Sequence, residues 1–519
     1  MTRPASGTIK FSDIANGQKK FNIGSWMGTL LAGKGSINSS VNLSNMYDTH
    51  TNSIGSRFIS SNLAGSYSSF GDCVYVSGDG NTALVCGPYD GGFTGNQFPN
   101  GMSGRIGAVW VYVRSGNTWT EQQKIVPADT THTFINYGGQ LVDNTQNNVG
   151  NRGAISADGN TIAFMSSGEN PAYVPGSPVA NQYAPYSAIW IYTRSGTTWT
   201  QQTKIYLDRD INSNGQTNCI DLSGDGNTLV AGRSSFAFTA VADGVNGKVS
   251  VYTRSGTTWT QQTDILPVNW NIADSQYYRA QYSLATYNND PRFGTTLRIS
   301  ADGQTLAVAG YADGNTYTGG VYTQIQTGAV WIYTRSGNTW TYQAKLIPTS
   351  FINQQGIYLG LINQGIDLSA DGNTLAVSGY NECDTYPFTS STKFNGSVYV
   401  FTRSGSTWTQ EAKLVPTINI QASSPAIDYD RFISLGVSVN ITADGNKIFA
   451  LTSGFSGRGH YVFTRSGTTW TEQGSYARTA STISSNTSAI SPGSRMSMSK
   501  NGKYGLIAEK QSLGSYPVY

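Results

Sequence analysis

Two short sequence elements alternate along this chain of 519 residues, and their alternation limits the folds available to it. The stretch YTRSGTTWTQQ stands at 192–202 and again at 252–262, and four close copies make six in all. The second element reads S-x-D-G-N-T between apolar residues, with a degenerate seventh copy around Asn501. The landmark residues are Arg114, Arg194, Arg254, Arg335, Arg403 and Arg465 in the first element and Asp79, Asp158, Asp225, Asp302, Asp371 and Asp444 in the second.

Each element predicts a β-hairpin. Asp-Gly between alternating apolar residues is a strong hairpin signal, because glycine and Asx residues accept the positive φ that tight turns require. Pairing about Asp371 places Ile366 opposite Val377 and Leu368 opposite Leu375, whereas a slip of one residue opposes apolar and polar side chains. The register of this hairpin is therefore predicted from sequence.

Two successive hairpins form a four-stranded antiparallel unit of the size of a propeller blade. We predict an all-β fold, a seven-bladed β-propeller of four-stranded antiparallel blades, whose last blade is incomplete. The segment SYPVY at 515–519 matches the third strand of the other blades, and we expect the outer strand to come from residues about 50 to 70. Sixty glycines and 31 tyrosines agree with short strands joined by many turns.

Antiparallel order predicts which segments share a face of the ring. The Asp-Gly turns and the Ser-Gly turns must lie on one face, and the longer, more variable connections on the other. Long loops on a rigid scaffold usually carry binding, although they can also pack only on one another. We predict a binding face from the aromatic residues of these connections: Tyr89, Phe93, Phe98, Phe134, Tyr137, Tyr183, Tyr186, Trp270, Tyr277, Tyr278, Tyr317, Tyr322, Phe351, Tyr386 and Phe388.

The repeated tryptophans and arginines are better explained by structure than by ligand binding. A tryptophan at one position per blade fits the wedge between neighbouring twisted sheets. We expect each landmark arginine to bond turn carbonyl groups of an adjacent hairpin. The tryptophans are Trp119, Trp199, Trp259, Trp340, Trp408 and Trp470.

Charge and hydropathy exclude several functional classes. The net charge is +3 with no clustered basic face, so we expect no nucleic-acid partner. No stretch approaches the roughly 20 apolar residues of a membrane span, and the first residues lack the apolar core of a signal peptide. We therefore expect the protein to be made and folded in the cytoplasm.

Catalytic motifs are missing from the sequence, and one metal candidate is present. The three histidines stand in unrelated contexts, and neither a G-x-S-x-G nor an HExxH motif occurs. The segment DINSNGQTNCID resembles a calcium loop through Asp210, Asn212, Asn214 and Asp221, with a plain Asx-rich turn as the alternative. Calcium is thus the one candidate cofactor, and otherwise we expect none.

Four cysteines provide neither a zinc motif nor a disulfide framework. If Asp79 and Gly80 form the tip of a hairpin, Cys73 and Cys86 lie directly opposite each other. A cross-strand disulfide is then geometrically feasible. A reduced pair in the core is the interpretation that suits a cytoplasmic origin.

The repeat resembles the FG-GAP family over about residues 70 to 519. The resemblance rests on the two elements recurring in order and on the pairs Phe70-Gly71 and Phe293-Gly294. It implies an integrin-like seven-bladed propeller that mediates adhesion or assembly. The calcium motif of that family, D-x-D-x-D-G, is missing here, which argues against calcium binding of the family's kind.

Residues 1–50 lie outside the repeat, and we predict two parts, a 1–50 attachment segment and a 51–519 propeller. The phrases SGTIKFSDI and SSVNLSNMY resemble the N-terminal segments of tailed-phage structural proteins. They imply a non-enzymatic virion protein of the tail, baseplate or fiber, assembled in the host cytoplasm, that binds other virion proteins through residues 1–50. Its loops would contact a host-surface glycan or protein, or further copies of the chain on the particle.

Two other functions remain as alternatives. One is a cell-surface FG-GAP adhesion protein with the same fold. The other is a propeller glycan lyase or hydrolase, which would need paired carboxylates at the mouth of the central channel.

Overall fold

A computed structural model gives the fold of the chain. The described residues all lie in one compact unit formed by Asn38–Arg478 with Ser488–Tyr519. The structure describes residues 40–44, 57–58, 60, 62–63, 69–91, 105–130, 134–137, 140–143, 146–169, 186–207, 219–234, 247–268, 291–313, 316–318, 321–323, 327–349, 351, 357–361, 364–383, 394–417, 432–452, 459–477 and 490–511.

The described residues form strands and turns and contain no helix, so none of them forms a helix that could cross a membrane. The strands of the first half are β1 (Ser40–Ser44), β2 (Arg57–Phe58), β3 (Cys73–Val76), β4 (Thr82–Gly87), β5 (Arg105–Ser115), β6 (Thr118–Ile125), β7 (Phe134–Tyr137), β8 (Gln140–Asp143), β9 (Gln146–Val149), β10 (Arg152–Ile155), β11 (Thr161–Glu169), β12 (Tyr186–Ser195), β13 (Thr198–Tyr206), β14 (Cys219–Leu222), β15 (Thr228–Arg233), β16 (Lys248–Ser255) and β17 (Thr258–Gln261).

The second half continues the same pattern. Its strands are β18 (Thr296–Ile299), β19 (Thr305–Gly310), β20 (Thr316–Thr318), β21 (Val321–Thr323), β22 (Ala329–Ser336), β23 (Thr339–Leu346), β24 (Ile366–Leu368), β25 (Thr374–Gly379), β26 (Phe394–Ser404), β27 (Thr407–Leu414), β28 (Phe432–Ile441), β29 (Lys447–Thr452), β30 (Gly459–Ser466), β31 (Thr469–Ala477), β32 (Ile490–Met498) and β33 (Gly505–Gln511).

Four-stranded antiparallel sets repeat along the chain, which confirms the predicted all-β fold and its modules. Short parallel pairings add β9 to the edge of β5 and join β26 to β28, so that the sets of β24–β27 and β28–β31 form one continuous sheet. We call each set a blade and its successive strands a to d. The blades are β3–β6 (blade 1), β10–β13 (blade 2), β14–β17 (blade 3), β18, β19, β22 and β23 (blade 4), β24–β27 (blade 5), β28–β31 (blade 6) and β32, β33, β1 and β2 (blade 7).

Both halves of blade 7 come from distant parts of the sequence. β33 pairs with β1, with Ser40 opposite Glu509, and β1 pairs with β2. The prediction that the outer strand comes from residues about 50 to 70 is confirmed by β2. The prediction that 515–519 supplies the third strand is wrong, because β1 occupies the edge of β33 that such a strand would need.

Backbone hydrogen bonds link each blade to the next around a closed ring. In blades 2 to 7 the residue before the turn Asp or Asn donates its N–H to the equivalent carbonyl of the next blade, as Ala157 does to Gly224 at 2.8 Å. The last link runs from Lys500 N to Gly78 O at 3.2 Å, and Asp79 N donates to Ala157 O at 3.1 Å. The strands a of consecutive blades therefore enclose a central space, which we call the channel.

The hydrophobic core is divided among the interfaces between blades. Among the described residues there are seven buried clusters, and each joins two consecutive blades. Phe58 and Leu506 of blade 7 pack with Trp110 of blade 1, which completes the series. Because burial of apolar surface is the dominant favourable term in folding, the stability of each blade depends on its neighbours.

The Asp-Gly hairpins have the predicted register, with Ile366 opposite Val377 and Leu368 opposite Leu375. Within the turn of blade 2, Asp158 accepts hydrogen bonds from Ser156 Oγ at 2.6 Å and Asn160 N at 2.9 Å. Burial by itself raises the pKa of Asp158, but these hydrogen bonds outweigh it and lower the pKa. The carboxylate is therefore engaged within its own turn.

The landmark arginines join the two kinds of turn, which confirms that both turns lie on one face. Arg114 Nε donates to Gly80 O at 2.8 Å, as predicted for a turn carbonyl. In other blades the acceptor differs from the prediction, since Arg254 and Arg403 bond the side-chain oxygens of Asn227 and Asn373, each at 2.8 Å. Arg114 also bonds the equivalent asparagine, through Nη2 to Asn81 Oδ1 at 2.7 Å, so the asparagine of the turn is an acceptor in all three blades.

The repeated tryptophans lie between blades, as predicted. Trp199 Nε1 donates to Gln122 Oε1 of the preceding blade at 2.8 Å. The equivalent hydrogen bond recurs in blades 3, 5 and 6. Trp340 departs from this pattern, because its Nε1 is buried without a partner while Gln262 of blade 3 donates to Thr253.

His460 at the start of β30 makes stability depend on pH. Burial lowers its pKa from 6.5 to about 4, so between these values the unfolded chain binds a proton that the folded chain does not. Its contribution to stability is therefore complete above pH 6.5 and is lost as pH falls toward 4. The free energy of unfolding, obtained from urea titrations, should fall less steeply with pH across this range in His460→Gln, by up to roughly 1 kcal/mol per pH unit. Identical pH profiles of the variant and the wild type would contradict this expectation.

Candidate functional site

The short-turn face is uniform and its polar groups are largely engaged with one another. Six Ser-Gly-x-Thr tips are exposed there, and the six Asp-Gly turns beside them hold the internal bonds described above. Arg254 Nη1 also reaches Thr161 Oγ1 of the preceding blade, at 3.4 Å. These contacts make the face a structural clasp between blades.

Where the long connections leave the blades, on the opposite face, a set of one lysine, one acidic residue and one aromatic ring recurs. Lys204 pairs with Glu169 Oε2 at 2.8 Å and lies 4.7 Å from the centre of the Trp190 ring. Trp190 Nε1 donates to Asp129 Oδ1 at 2.7 Å. Because the acidic residue starts a b–c connection and the lysine ends strand d, the set fixes the base of the long connections. The equivalent sets are Lys124 with Asp90 and Trp110, Lys345 with Asp313 and Trp331, and Lys413 with Glu382 and Tyr399.

The predicted binding aromatics are only partly visible. Tyr89 and Phe351 are half-buried, and Phe351 packs against the core between blades 4 and 5. Five others have their backbone in strands while their side chains lie outside the described residues: Phe134, Tyr137, Tyr186, Tyr317 and Tyr322. The rest lie wholly outside the described residues: Phe93, Phe98, Tyr183, Trp270, Tyr277, Tyr278, Tyr386 and Phe388.

The candidate calcium loop is described at one position. Asp221 lies in β14, where its Oδ2 accepts a hydrogen bond from Ile299 N of blade 4 at 3.0 Å. Asp210, Asn212 and Asn214 lie outside the described residues. In the part of the chain that the structure describes, no three His, Cys, Asp or Glu side chains meet as a metal site.

The channel is lined by side chains whose chemistry varies from blade to blade. Strand a alternates apolar residues, which enter the cores between blades, with small, polar or charged residues on its other side. Two residues before the turn Ser or Thr, this second side carries Tyr75, Ala154, Asp221, Arg298, Asp367, Asn440 and Ser497. The turn motifs of the repeats are nearly identical, whereas this position is chemically different in most blades.

Several of these side chains accept a backbone N–H of the next blade. Asp367 Oδ2 accepts from Ile441 N at 2.8 Å, and Asn440 Oδ1 accepts from Met498 N at 3.2 Å. Ser497 Oγ accepts from Val76 N at 3.0 Å and closes this pattern between blades 7 and 1. The ring thus contributes to holding the blades in register.

A line of alternating charges extends across one side of the channel. Lys500 Nζ lies 3.0 Å from both carboxylate oxygens of Asp367, and Arg298 Nε lies 3.8 Å from Asp367 Oδ1. Burial raises the pKa of Asp221, and the nearby Arg298 opposes that rise. Burial lowers the pKa of Arg298, but the two carboxylates outweigh it and raise the pKa. Two anions and two cations balance on this side.

Cys73 and Cys86 are directly opposite each other, as predicted, and both are free and buried. The Cys73 thiol donates to Asn151 O of blade 2 at 3.1 Å. Burial raises the pKa of the Cys86 thiol. The pair lies beside Tyr75, at the edge of the channel lining.

No protein-family model matches the chain, and no curated protein matches it. Among solved structures it is similar to a proposed 6-phosphogluconolactonase of Bacteroides fragilis, at 12% identity and a TM-score of 0.41 over 86% of this chain and 97% of that one. It is also similar to hydrazine synthase of Kuenenia stuttgartiensis, at 10% identity and a TM-score of 0.45 over 87% and 96%. The fold described above rests on the sheets themselves and not on these likenesses.

Proposed function

We propose that this protein is a non-enzymatic structural component of a phage virion, in which an FG-GAP-type propeller displays one face for host-surface recognition or subunit contact. The observation that carries the proposal is the difference between the two faces. One face is a clasp of repeated turns, and the other anchors long, variable connections on buried lysine–acid–aromatic sets. Such a scaffold holds binding loops rigidly at their bases.

Attachment to the particle is assigned to the residues before the repeat. The resemblance of SGTIKFSDI and SSVNLSNMY to phage structural proteins supports this assignment. Since β1 pairs with β33, removal of residues 1–50 would also remove a strand of blade 7. A deletion that tests attachment should therefore end at residue 37.

We expect the chain lacking residues 1–37 to keep the urea midpoint of the full chain and to be missing from purified particles. The chain lacking residues 1–50 should unfold at lower urea, because β33 then loses its partner. Mass spectrometry of purified particles and urea titration measure the two effects. Particle incorporation of the shorter deletion would contradict the attachment role, and display of the full chain on uninfected cells would favour the adhesion alternative.

Recognition is tested on the loop face. We expect Trp270→Ala combined with Tyr277→Ala to weaken binding of the purified protein to host cells by tenfold or more, since a few aromatic anchors usually dominate an interface. Asn117→Ala, in an exposed tip of the short-turn face, is the matched control and should bind like the wild type. Equal loss in both variants would show that binding does not use the loop face.

The enzyme alternative depends on carboxylates in the channel. Asp221 and Asp367 do line it, but each accepts a backbone N–H of the next blade and lies beside Arg298. These contacts support a structural role for both side chains. A general acid or base would need a carboxyl group with an open approach to substrate.

A further inference from the structure

Arg495 is a channel-lining side chain whose charge has no direct partner. It stands two residues before Ser497 in β32, and both side chains are half-buried whereas Met496 between them is buried in the core between blades 6 and 7. Its Nη1 atom is buried and makes no hydrogen bond. Within the described residues, no carboxylate forms an ion pair with this guanidinium. Buried charges in proteins are normally paired and hydrogen-bonded, so an unpaired one indicates a missing partner.

Two hydroxyl groups near Arg495 also have a proton left to donate. Tyr75 Oη accepts from Gly153 N at 3.2 Å, and Ser497 Oγ accepts from Val76 N at 3.0 Å. Each hydroxyl is thereby used as an acceptor, and its own hydrogen has no acceptor among the described residues. Burial raises the pKa of Tyr75, which keeps the phenol protonated. Among the described residues, this side of the channel therefore offers the Arg495 guanidinium and two hydroxyl groups as hydrogen-bond donors.

Charged groups of both signs surround Arg495 on this side. Asp72 is the carboxylate whose charge acts on Arg495, and Arg152 adds a second positive charge beside Cys73. On the far side, Asp221 and Asp367 are balanced by Arg298 and Lys500, as described above. Arg495 Nη1 is thus an unbonded cationic donor at the junction of blades 7, 1 and 2.

We propose that this junction binds one small oxyanion group through Arg495, Tyr75 and Ser497. A carboxylate, phosphate or sulfate presents several acceptor oxygens and a negative charge, which match a guanidinium and two hydroxyl donors. Tyr75, Arg495 and Ser497 are each half-buried, so the group that binds there is reached from the channel. The site is independent of the loop face and does not require the proposed function.

The test is isothermal titration calorimetry on the full chain. Inorganic phosphate, sulfate or glucuronate is titrated into the protein in Tris–chloride at constant ionic strength. We expect one saturable site per chain for at least one of these anions. Arg495→Gln should weaken that binding by tenfold or more, and Tyr75→Phe, which removes only the hydroxyl, by about threefold or more. Lys503→Gln removes the same charge from an exposed turn of blade 7 and should bind like the wild type.

The three anions distinguish between the chemical classes of ligand that the site could bind. Binding of phosphate or sulfate alone assigns the site to a tetrahedral oxyanion, and binding of glucuronate assigns it to the carboxylate of an acidic saccharide. If Arg495→Gln does not fold, Tyr75→Phe decides, because its volume and rotamers are nearly those of the wild type. The proposal is overturned if none of the three anions binds saturably, or if both channel variants bind like Lys503→Gln.

Discussion

Asp367→Ala is expected to lower the free energy of unfolding by about 3–5 kcal/mol, the usual cost of removing one partner of a buried ion pair. The variant leaves Lys500 and Arg298 without the carboxylate that joins them, and it leaves Ile441 N of blade 6 without its acceptor. Blades 4, 6 and 7 each lose a contact with blade 5, because the Asp367 side chain lies where the four blades meet. The measurement is the urea midpoint at pH 7.

Asp371→Ala is the matched control, since it removes another aspartate of the same hairpin. Asp371 is exposed and bonds only groups of its own turn, so its loss should cost about 1 kcal/mol, as for a capping residue. Asp367→Asn keeps an acceptor for Ile441 N and should lie between the two. Equal effects of Asp367→Ala and Asp371→Ala would show that the channel charges do not contribute to stability.

Gly372→Ala is expected to destabilise the ring by about 3 kcal/mol or more, through strain combined with overpacking. Gly372 has φ of +65°, and an added Cβ would lie 2.6 Å from Thr305 Cβ of blade 4. Real Cβ atoms do not approach another carbon so closely, so blades 4 and 5 would have to separate. The effect should appear as a lower thermal midpoint.

Gly405→Ala separates the two contributions to the destabilisation, the steric clash of the added Cβ and the cost of a left-handed backbone. Gly405 has φ of +61° in the Ser-Gly turn of the same blade, and an added Cβ there meets no atom within 4 Å. Only the cost of a left-handed alanine remains, about 1–2 kcal/mol. If both variants lose the same stability, the contact between the Asp-Gly turn and the preceding blade is not tight in solution.

Local pairing was predictable because it depends on neighbouring residues. The opposition of Ile366 to Val377 and of Cys73 to Cys86 follows from apolar alternation around a turn that glycine permits. The interblade position of Trp199 likewise follows from its recurrence once per module. In these cases one short stretch contains all the information that the structure uses.

Closure of the ring was predictable only in part. β1 (Ser40–Ser44) pairs with β33, more than 450 positions away in the sequence. No local pattern selects β1 over SYPVY as the third strand of blade 7. Val41 and Leu43 do alternate with polar residues, but many segments of this chain have the same pattern. The pairing of β1 with β33 depends on the whole ring and not on the residues next to either strand.

The channel chemistry was missed for a different reason. A repeat is recognised by what its copies share, and Tyr75, Asp221, Arg298 and Asp367 occupy one position that the copies do not share. Alignment of the seven strands a would have shown that position to be the chemically variable one. Whether the loop aromatics form a binding face stays a prediction, since most of their side chains lie outside the described residues.

The join between β1 and β33 has a mechanical consequence. Ser40 lies opposite Glu509 and Ser44 opposite Gly505, so the N-terminal end of one strand adjoins the C-terminal end of the other. Tension applied between residues 40 and 511 would load these hydrogen bonds one at a time, from Ser40 inward, and not all at once. A ring pulled in this way would open by unzipping at low force, whereas the same ring pushed against a surface would keep that seam closed.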